Sequence, residues 1–386
     1  MIIIEPSPVT SVSLVSSSIP ETDGLRDYYS NPALTYNLGD KVRVVNPSVS
    51  GAAATICTAG SPAVFNWASH GLVDAIPVLL ASTGTLPPGF VAGVLYWIIN
   101  SVPGTFNLSA KKNGIPLDAA SAGTGTLTIT AQVHQVFKAL QAVPVNTYPL
   151  QSITYWQPLG STNLYSMFDD VNGSQSSAMD SITVVFQGSG RLDSVALKNV
   201  SAATVRFQMS TVADGAVYDK TYSMVSSSGI NNLYKYFLEP IVRKDECIEI
   251  DMQPYNNPLI TITLSAPGET VLCGTCKFGK RNDIGESQYG AKIGIIDYSI
   301  KAKDAWGHYY FQEGDYSDTG DFTVVVDNAF IGELKRRLAK LRVTPAIYIG
   351  STNFDGLSYY GKFNDFNIVI PGPLTSICTI SIESLI

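Results

Sequence analysis

Charge is scarce in this chain. Of 386 residues only 15% are Asp, Glu, Lys or Arg, against roughly 25% in ordinary soluble chains. The formal net charge is −7, so a phosphate backbone is repelled overall and nucleic acid is not an expected partner. The one basic cluster, Lys335-Arg336-Arg337 with Lys340 and Arg342, falls in a predicted helix and reads as that helix's solvated face. Cysteine is scarce too. The five residues Cys57, Cys247, Cys273, Cys276 and Cys378 are too scattered for a disulfide framework and suit a reduced compartment. No apolar run approaches the roughly 18 residues of a membrane span, so membrane insertion is not expected. The stretch Met1-Ile2-Ile3-Ile4-Glu5-Pro6 lacks a basic n-region and is too short for a signal peptide. The expectation is a chain that stays in the cell that makes it.

Chemistry-bearing motifs are equally thin. Cys273-Gly274-Thr275-Cys276 has the spacing of a redox pair, which normally opens a helix whose dipole lowers the thiol pKa. Here Thr270-Val271-Leu272 and Lys277-Phe278 predict strand on both sides, where an odd spacing sends the two thiols to opposite faces. No second Cys pair or nearby His pair completes a zinc site. His70, His134 and His308 lie in three different segments, with no nucleophile-elbow motif beside any of them. Asp169-Asp170 and the run from Asp214 to Asp219 sit among turn residues, where Asp bonds its own backbone, and neither follows an EF-hand spacing. A Walker loop, a dinucleotide fingerprint and an HExxH are all missing. No catalytic residue, metal site or cofactor is expected, and the chain reads as a non-enzyme.

What is present is β texture. Runs such as Ser181-Ile182-Thr183-Val184-Val185-Phe186 and Ile260-Thr261-Ile262-Thr263-Leu264 alternate β-branched residues and close on Gly, Pro, Asn and Asp. The 32 Gly and 21 Pro leave little room for long helices. One helix is nevertheless predicted near 329–342: Asp327 or Asn328 caps it, and Phe330, Leu334, Leu338 and Leu341 recur at three- and four-residue spacing. Pro345 forbids its continuation. The fold class is therefore mainly β, several β-domains including a jelly-roll-like sandwich, with one amphipathic helix in the C-terminal domain.

Length and composition shifts suggest how these domains divide. Residues 52–131, rich in Ala, Thr, Gly and Pro with almost no charge, read as an inserted β-domain. Its flanks, 1–51 and 132–159, read as two halves of one small β module, Val42 and Val44 after the Gly39-Asp40 turn pairing with Val136 and Phe137. Residues 160–265 make a β-sandwich. The chain divides near residues 265–272, at Ser265-Ala266-Pro267-Gly268-Glu269, and a C-terminal domain, 266–386, carries the helix. The 20 Tyr and four Trp supply aromatics that either stack on sugar rings or anchor cores and subunit interfaces. Tyr36 and Trp156 are the candidate glycan or interface contacts, Trp156 belonging either to the small module's core or to its ligand face.

The split module, through Tyr36, Gly39, Asp40, Val42, Val136, Phe137, Leu140, Pro149 and Trp156, resembles small chitin-binding-like domains. The run Trp156-Gln157-Pro158-Leu159-Gly160-Ser161-Thr162-Asn163-Leu164-Tyr165-Ser166-Met167-Phe168-Asp169 resembles a signature of phage tail structural proteins that leads into a β-sandwich. Ser69-His70-Gly71-Leu72 with Gly84-Thr85-Leu86-Pro87-Pro88-Gly89 and the stretch from Tyr96 to Phe106 resemble a β-domain common in phage virion proteins. Tyr289-Gly290, Asp297-Tyr298-Ser299 and Thr344-Pro345 resemble the C-terminal part of the same tail proteins. The resemblance implies a structural virion component of a tailed phage, at the tail tip, baseplate or fibre attachment, made in the host cytoplasm. It implies homo-oligomers, trimers or hexamers, that bind other tail proteins such as fibres, hub or tube. A receptor-binding protein gripping a host surface glycan is the alternative, and a tail-associated depolymerase stands third.

Overall fold

The computed structural model describes every residue except 22, 227–231, 239, 241, 304, 305, 353, 355 and 386. Strand outweighs helix, 52% to 7%, in several sheets. The chain forms two compact units: one holds Thr10–Val12 and Pro20–Tyr165, the other Met1–Val9, Ser13–Ile19 and Ser166–Ile386.

In the unit built on Pro20–Tyr165, the two pieces of the small module meet across the intervening chain. Lys41–Val45 pairs antiparallel with His134–Ala139, which pairs with Trp156–Ser161. Alternation decides the faces: Val42 and Val44 point inward and are fully buried, as are Phe137 and Ala139. The chain between them forms a seven-stranded sheet whose members include Ser48–Ala52, Thr126–Ala131, Pro77–Ser82 and Tyr96–Val102. Both sheets contribute to one hydrophobic cluster that runs from Tyr28 and Trp156 to Phe65, Phe106 and Leu127. Module and insertion thus share a core instead of each closing its own.

The other unit is organised by one strand of 25 residues, Leu259–Asp283. Its first half alternates, burying Ile260, Ile262 and Leu264, and pairs with Ser176–Gln187 and Thr204–Thr211. Its second half is buried on both faces from Cys273 to Gly279 and pairs with Ser194–Ser201 and Ile2–Ser7. This corrects two expected boundaries. The division expected near 265–272 lies inside the strand, because Pro267-Gly268 turns a corner instead of ending the pairing. The register of the partner strand shifts there between Met179 and Ser181, Asp180 and Gly268 both take positive φ (64° and 80°), and the Asp180 carboxylate accepts from the Gly268 N–H at 2.7 Å. Residues 1–19, assigned to the small module, instead supply mostly strands of this large sheet. Ile2–Ser7 lies between the long strand and Ala346–Ile349, and Leu14–Ser17 pairs with Ser176–Gln187.

The helix Ile331–Leu341 follows a 3-10 turn, Asn328–Phe330. Asp327 caps the turn, its carboxylate accepting from the Ala329 N–H at 2.8 Å. Leu334, Leu338 and Leu341 are buried as the spacing requires, against Met1, Ile3, Val324 and Tyr348. Phe330 departs from the expected stripe and is exposed, since the tighter 3-10 turn rotates it off the α-helical face. Among the described residues no helix is long and apolar enough to cross a membrane.

Candidate assembly surface

The two residues singled out from sequence as contacts are core residues. Trp156 is 0% exposed and Tyr36 7%. The indole packs edge-on against Tyr28 (6.0 Å between centroids) and Tyr36 (5.3 Å), and its N–H donates to the Thr147 carbonyl at 2.8 Å. A ring enclosed this way has no face left for a sugar, so of the two places open to Trp156 the structure has the core, and Tyr36 packs beside it in the same cluster.

Several of the other chemical candidates are held in contacts of the fold. Cys273 and Cys276 both lie within the long strand and are buried; burial pushes the Cys273 thiol up to about 12 and Cys276 well above its ordinary value. That is the reverse of what a redox pair needs. His70 is fixed between two backbone groups, Nδ1 accepting from the Leu72 N–H and Nε2 donating to the Val102 carbonyl, both at 2.9 Å. His134 pairs with Glu21 at 2.5 Å and stacks on Tyr165. Asp169 accepts from Ser174 Oγ and the Val171 N–H, as a turn residue should. Asp170 meets Lys277 and Tyr360, and Asp219 takes a forked pair of bonds from Arg206. Among the described residues no group of His, Cys, Asp and Glu could hold a metal ion.

The unusual feature is apolar surface that no other described residue covers. Strands Ile300–Lys303 and Tyr309–Gln312 form a two-stranded sheet, an arm outside the large sheet, and all eight residues are exposed. Its register sets two faces. Lys303 opposes Tyr309 and Lys301 opposes Phe311, so these four share one side; Ile300, Ala302, Tyr310 and Gln312 share the other. On the first side the Tyr309 and Phe311 rings lie nearly parallel, 8° apart with centroids at 5.8 Å, and Lys303 Nζ sits 5.2 Å from the Tyr309 ring. Tyr309 and Phe311 are 66% and 68% exposed, and Trp306 beyond them 86%.

The base of the arm is anchored. Asp297 pairs with Lys301 and accepts from the Ser299 N–H at 2.9 Å, and these contacts, Lys301 foremost, hold its carboxyl below the usual carboxylate range. Ser299 Oγ accepts from the Gly314 N–H at 3.1 Å, and Tyr298 donates to Glu383 at 3.2 Å. An isolated two-stranded sheet is marginal in water, and a contiguous exposed apolar patch is uncommon on a soluble surface.

Two further elements share that character. Lys292–Asp297, which feeds the arm, pairs on one side with Tyr316–Asp327 and leaves Ile293 and Ile295 exposed. The strand Gly215–Ser223, at the other end of the sheet order, carries Asp219 and Lys220, the charged protection usual for an edge. Helix Leu233–Leu238 buries none of its six residues, and Leu233, Tyr234, Tyr236, Phe237 and Leu238 are each at least 64% exposed. A helix apolar on every side normally lies inside a protein or an interface.

Sequence reasoning passed over both segments, although each had a signal. Tyr309-Tyr310-Phe311 and Leu233-Tyr234-Lys235-Tyr236-Phe237-Leu238 are apolar without the alternation of a half-buried strand. Such runs are either enclosed or deliberately exposed, and periodicity cannot say which. The chain matches no known family model, and no curated protein matches it.

Proposed function

We propose that this chain is a structural assembly protein, a virion component of a tailed phage placed at the tail tip, baseplate or fibre attachment. It works by binding copies of itself and neighbouring tail proteins. The observation that carries the assembly reading is the exposed aromatic arm formed by Ile300–Lys303 and Tyr309–Gln312, seconded by the exposed helix Leu233–Leu238. Burying one such ring in an interface contributes about 1.5–3 kcal/mol, so a few of them suffice to drive association. The phage part of the proposal rests on the ordered resemblances along the sequence.

Size-exclusion chromatography with light scattering, together with mass spectrometry of purified virions, tests this reading. The expected result is an oligomer, and the chain among the particle's proteins. A stable monomer that is absent from particles would sink it.

A receptor-binding role is a second reading, and one observation favours it: the near-parallel Tyr309 and Phe311 rings make a platform of the kind that stacks on sugars. A glycan array probed with the full chain and with Phe311→Ala separates the two. Binding that survives oligomerisation and disappears in the variant supports the glycan role; an empty array removes it.

A further inference from the structure

A second feature of the same unit suggests what the arm binds. Beside the helix lies a cleft of about 540 Å³ floored by Ile284, Val326 and Leu334, with Phe330 at its edge. Its charged lining is Asp283, Glu286, Asp327, Glu333 and Arg337; Glu333 pairs with Arg337 at 2.8 Å and Asp283 with Arg281 at 3.2 Å, which leaves Glu286 and Asp327 to make the rim acidic. An apolar floor under an acidic rim is the complement of the arm's first face, where two aromatic rings lie beside Lys303, Lys301 being held by Asp297.

The cleft and the arm cannot meet within one chain. Both are joined to the strand Tyr316–Asp327, but at opposite ends: the arm leaves at Tyr316, opposite Asp297, while Val325, Val326 and Asp327 line the cleft. Twelve residues of strand span about 36 Å at roughly 3.3 Å per residue, whereas the arm from Asp297 to Lys303 reaches only about 20 Å. A donor at one end and its acceptor at the other is the layout of a head-to-tail contact, which closes into a ring or continues as a filament depending on the rotation between copies.

We propose that the arm of one copy seats Tyr309 and Phe311 in the cleft of a second copy of this chain, with Lys303 facing the acidic rim. This rests on the assembly reading above and names its partner and acceptor site.

The test uses two full-length variants followed by sedimentation velocity. One, Tyr309→Ser with Phe311→Ser, keeps the cleft and loses the arm's rings. The other, Glu286→Lys with Glu333→Lys, keeps the arm and reverses the rim. Each alone is expected to lose self-association by roughly tenfold or more relative to the unmodified chain. Mixed in equal amounts they should form one-to-one heterodimers and nothing larger, because a single intact arm and a single intact cleft remain. If the unmodified chain assembles and the cleft variant assembles equally well, the cleft is not the acceptor; this inference falls and the assembly reading stands. If the unmodified chain is a monomer on its own yet is found in virions, head-to-tail self-contact is again refuted without harm to the tail role. Circular dichroism checks that each variant folds. Should the cleft variant not fold, a photo-crosslinker at position 311 of the otherwise unmodified chain replaces it. Crosslinks to 283–286 or 330–337 of a second copy support the contact, and crosslinks elsewhere overturn it.

Discussion

Replacing Trp156 separates a core role from a contact role. The side chain is wholly buried, touches Tyr28 and Tyr36 edge-on and donates to the Thr147 carbonyl. Truncating an enclosed Trp to Ala costs about 3–5 kcal/mol, since the surroundings close over the cavity only in part. Trp156→Phe keeps an aromatic ring against Tyr28 and Tyr36 but leaves the Thr147 carbonyl without its donor, a loss of about 1–3 kcal/mol. With a urea slope of about 2 kcal/mol per molar, the Ala variant should lower the unfolding midpoint by roughly 1.5–2.5 M. A chain of two units need not unfold in one step, so the signal should come from peptides within 20–165, by hydrogen exchange at increasing urea. Peptides from 166–385 should keep their midpoint. An Ala variant whose midpoint is unchanged while ligand or partner binding is lost would refute the core assignment.

Native thiols should be inert. All five cysteines are buried, with Cys57 and Cys378 raised to about 11 and Cys247 and Cys273 to about 12, chiefly by burial, so labelling at pH 8 should require denaturant. Rapid stoichiometric labelling of the folded chain would contradict this. Glu246 should contribute to acid lability. Burial by itself would raise its carboxyl, but Lys198 at 2.8 Å and hydrogen bonds from Ser358 and the Gly356 N–H outweigh that and hold it below 4.5. A depressed carboxyl stabilises the fold above its unfolded value and loses that contribution as pH falls below about 4.5 through the folded value. Glu246→Gln should therefore flatten the pH dependence of the melting temperature in that window, and an identical slope would argue against it. Gly350→Ala should destabilise the unit that carries the helix, because a Cβ there would stand 2.1 Å from the Phe322 ring. Forcing that ring aside costs about 1–3 kcal/mol, and an unchanged melting temperature would show that the ring yields freely.

The sequence by itself determined what depends on neighbours a few residues apart. Alternation named the strands and their inward faces, Val42 with Val44 and Ile260 with Ile262, because side-chain direction along a strand is a local property. The helix was legible through Leu334, Leu338 and Leu341 and the Asp327 cap for the same reason. Only the tertiary structure decided what depends on distant partners. Pro267-Gly268 looks like a division of the chain in isolation, yet becomes a corner of a continuous strand because Ser176–Gln187 shifts register opposite it. Trp156 became core because Tyr28, Tyr36 and Thr147 close around it. Tyr309-Tyr310-Phe311 has the composition of a buried strand and lies in the open because no other strand of this chain pairs along the arm's outer edges among the described residues. Composition sets how much apolar surface a chain carries; long-range pairing sets which part is left for a partner to cover.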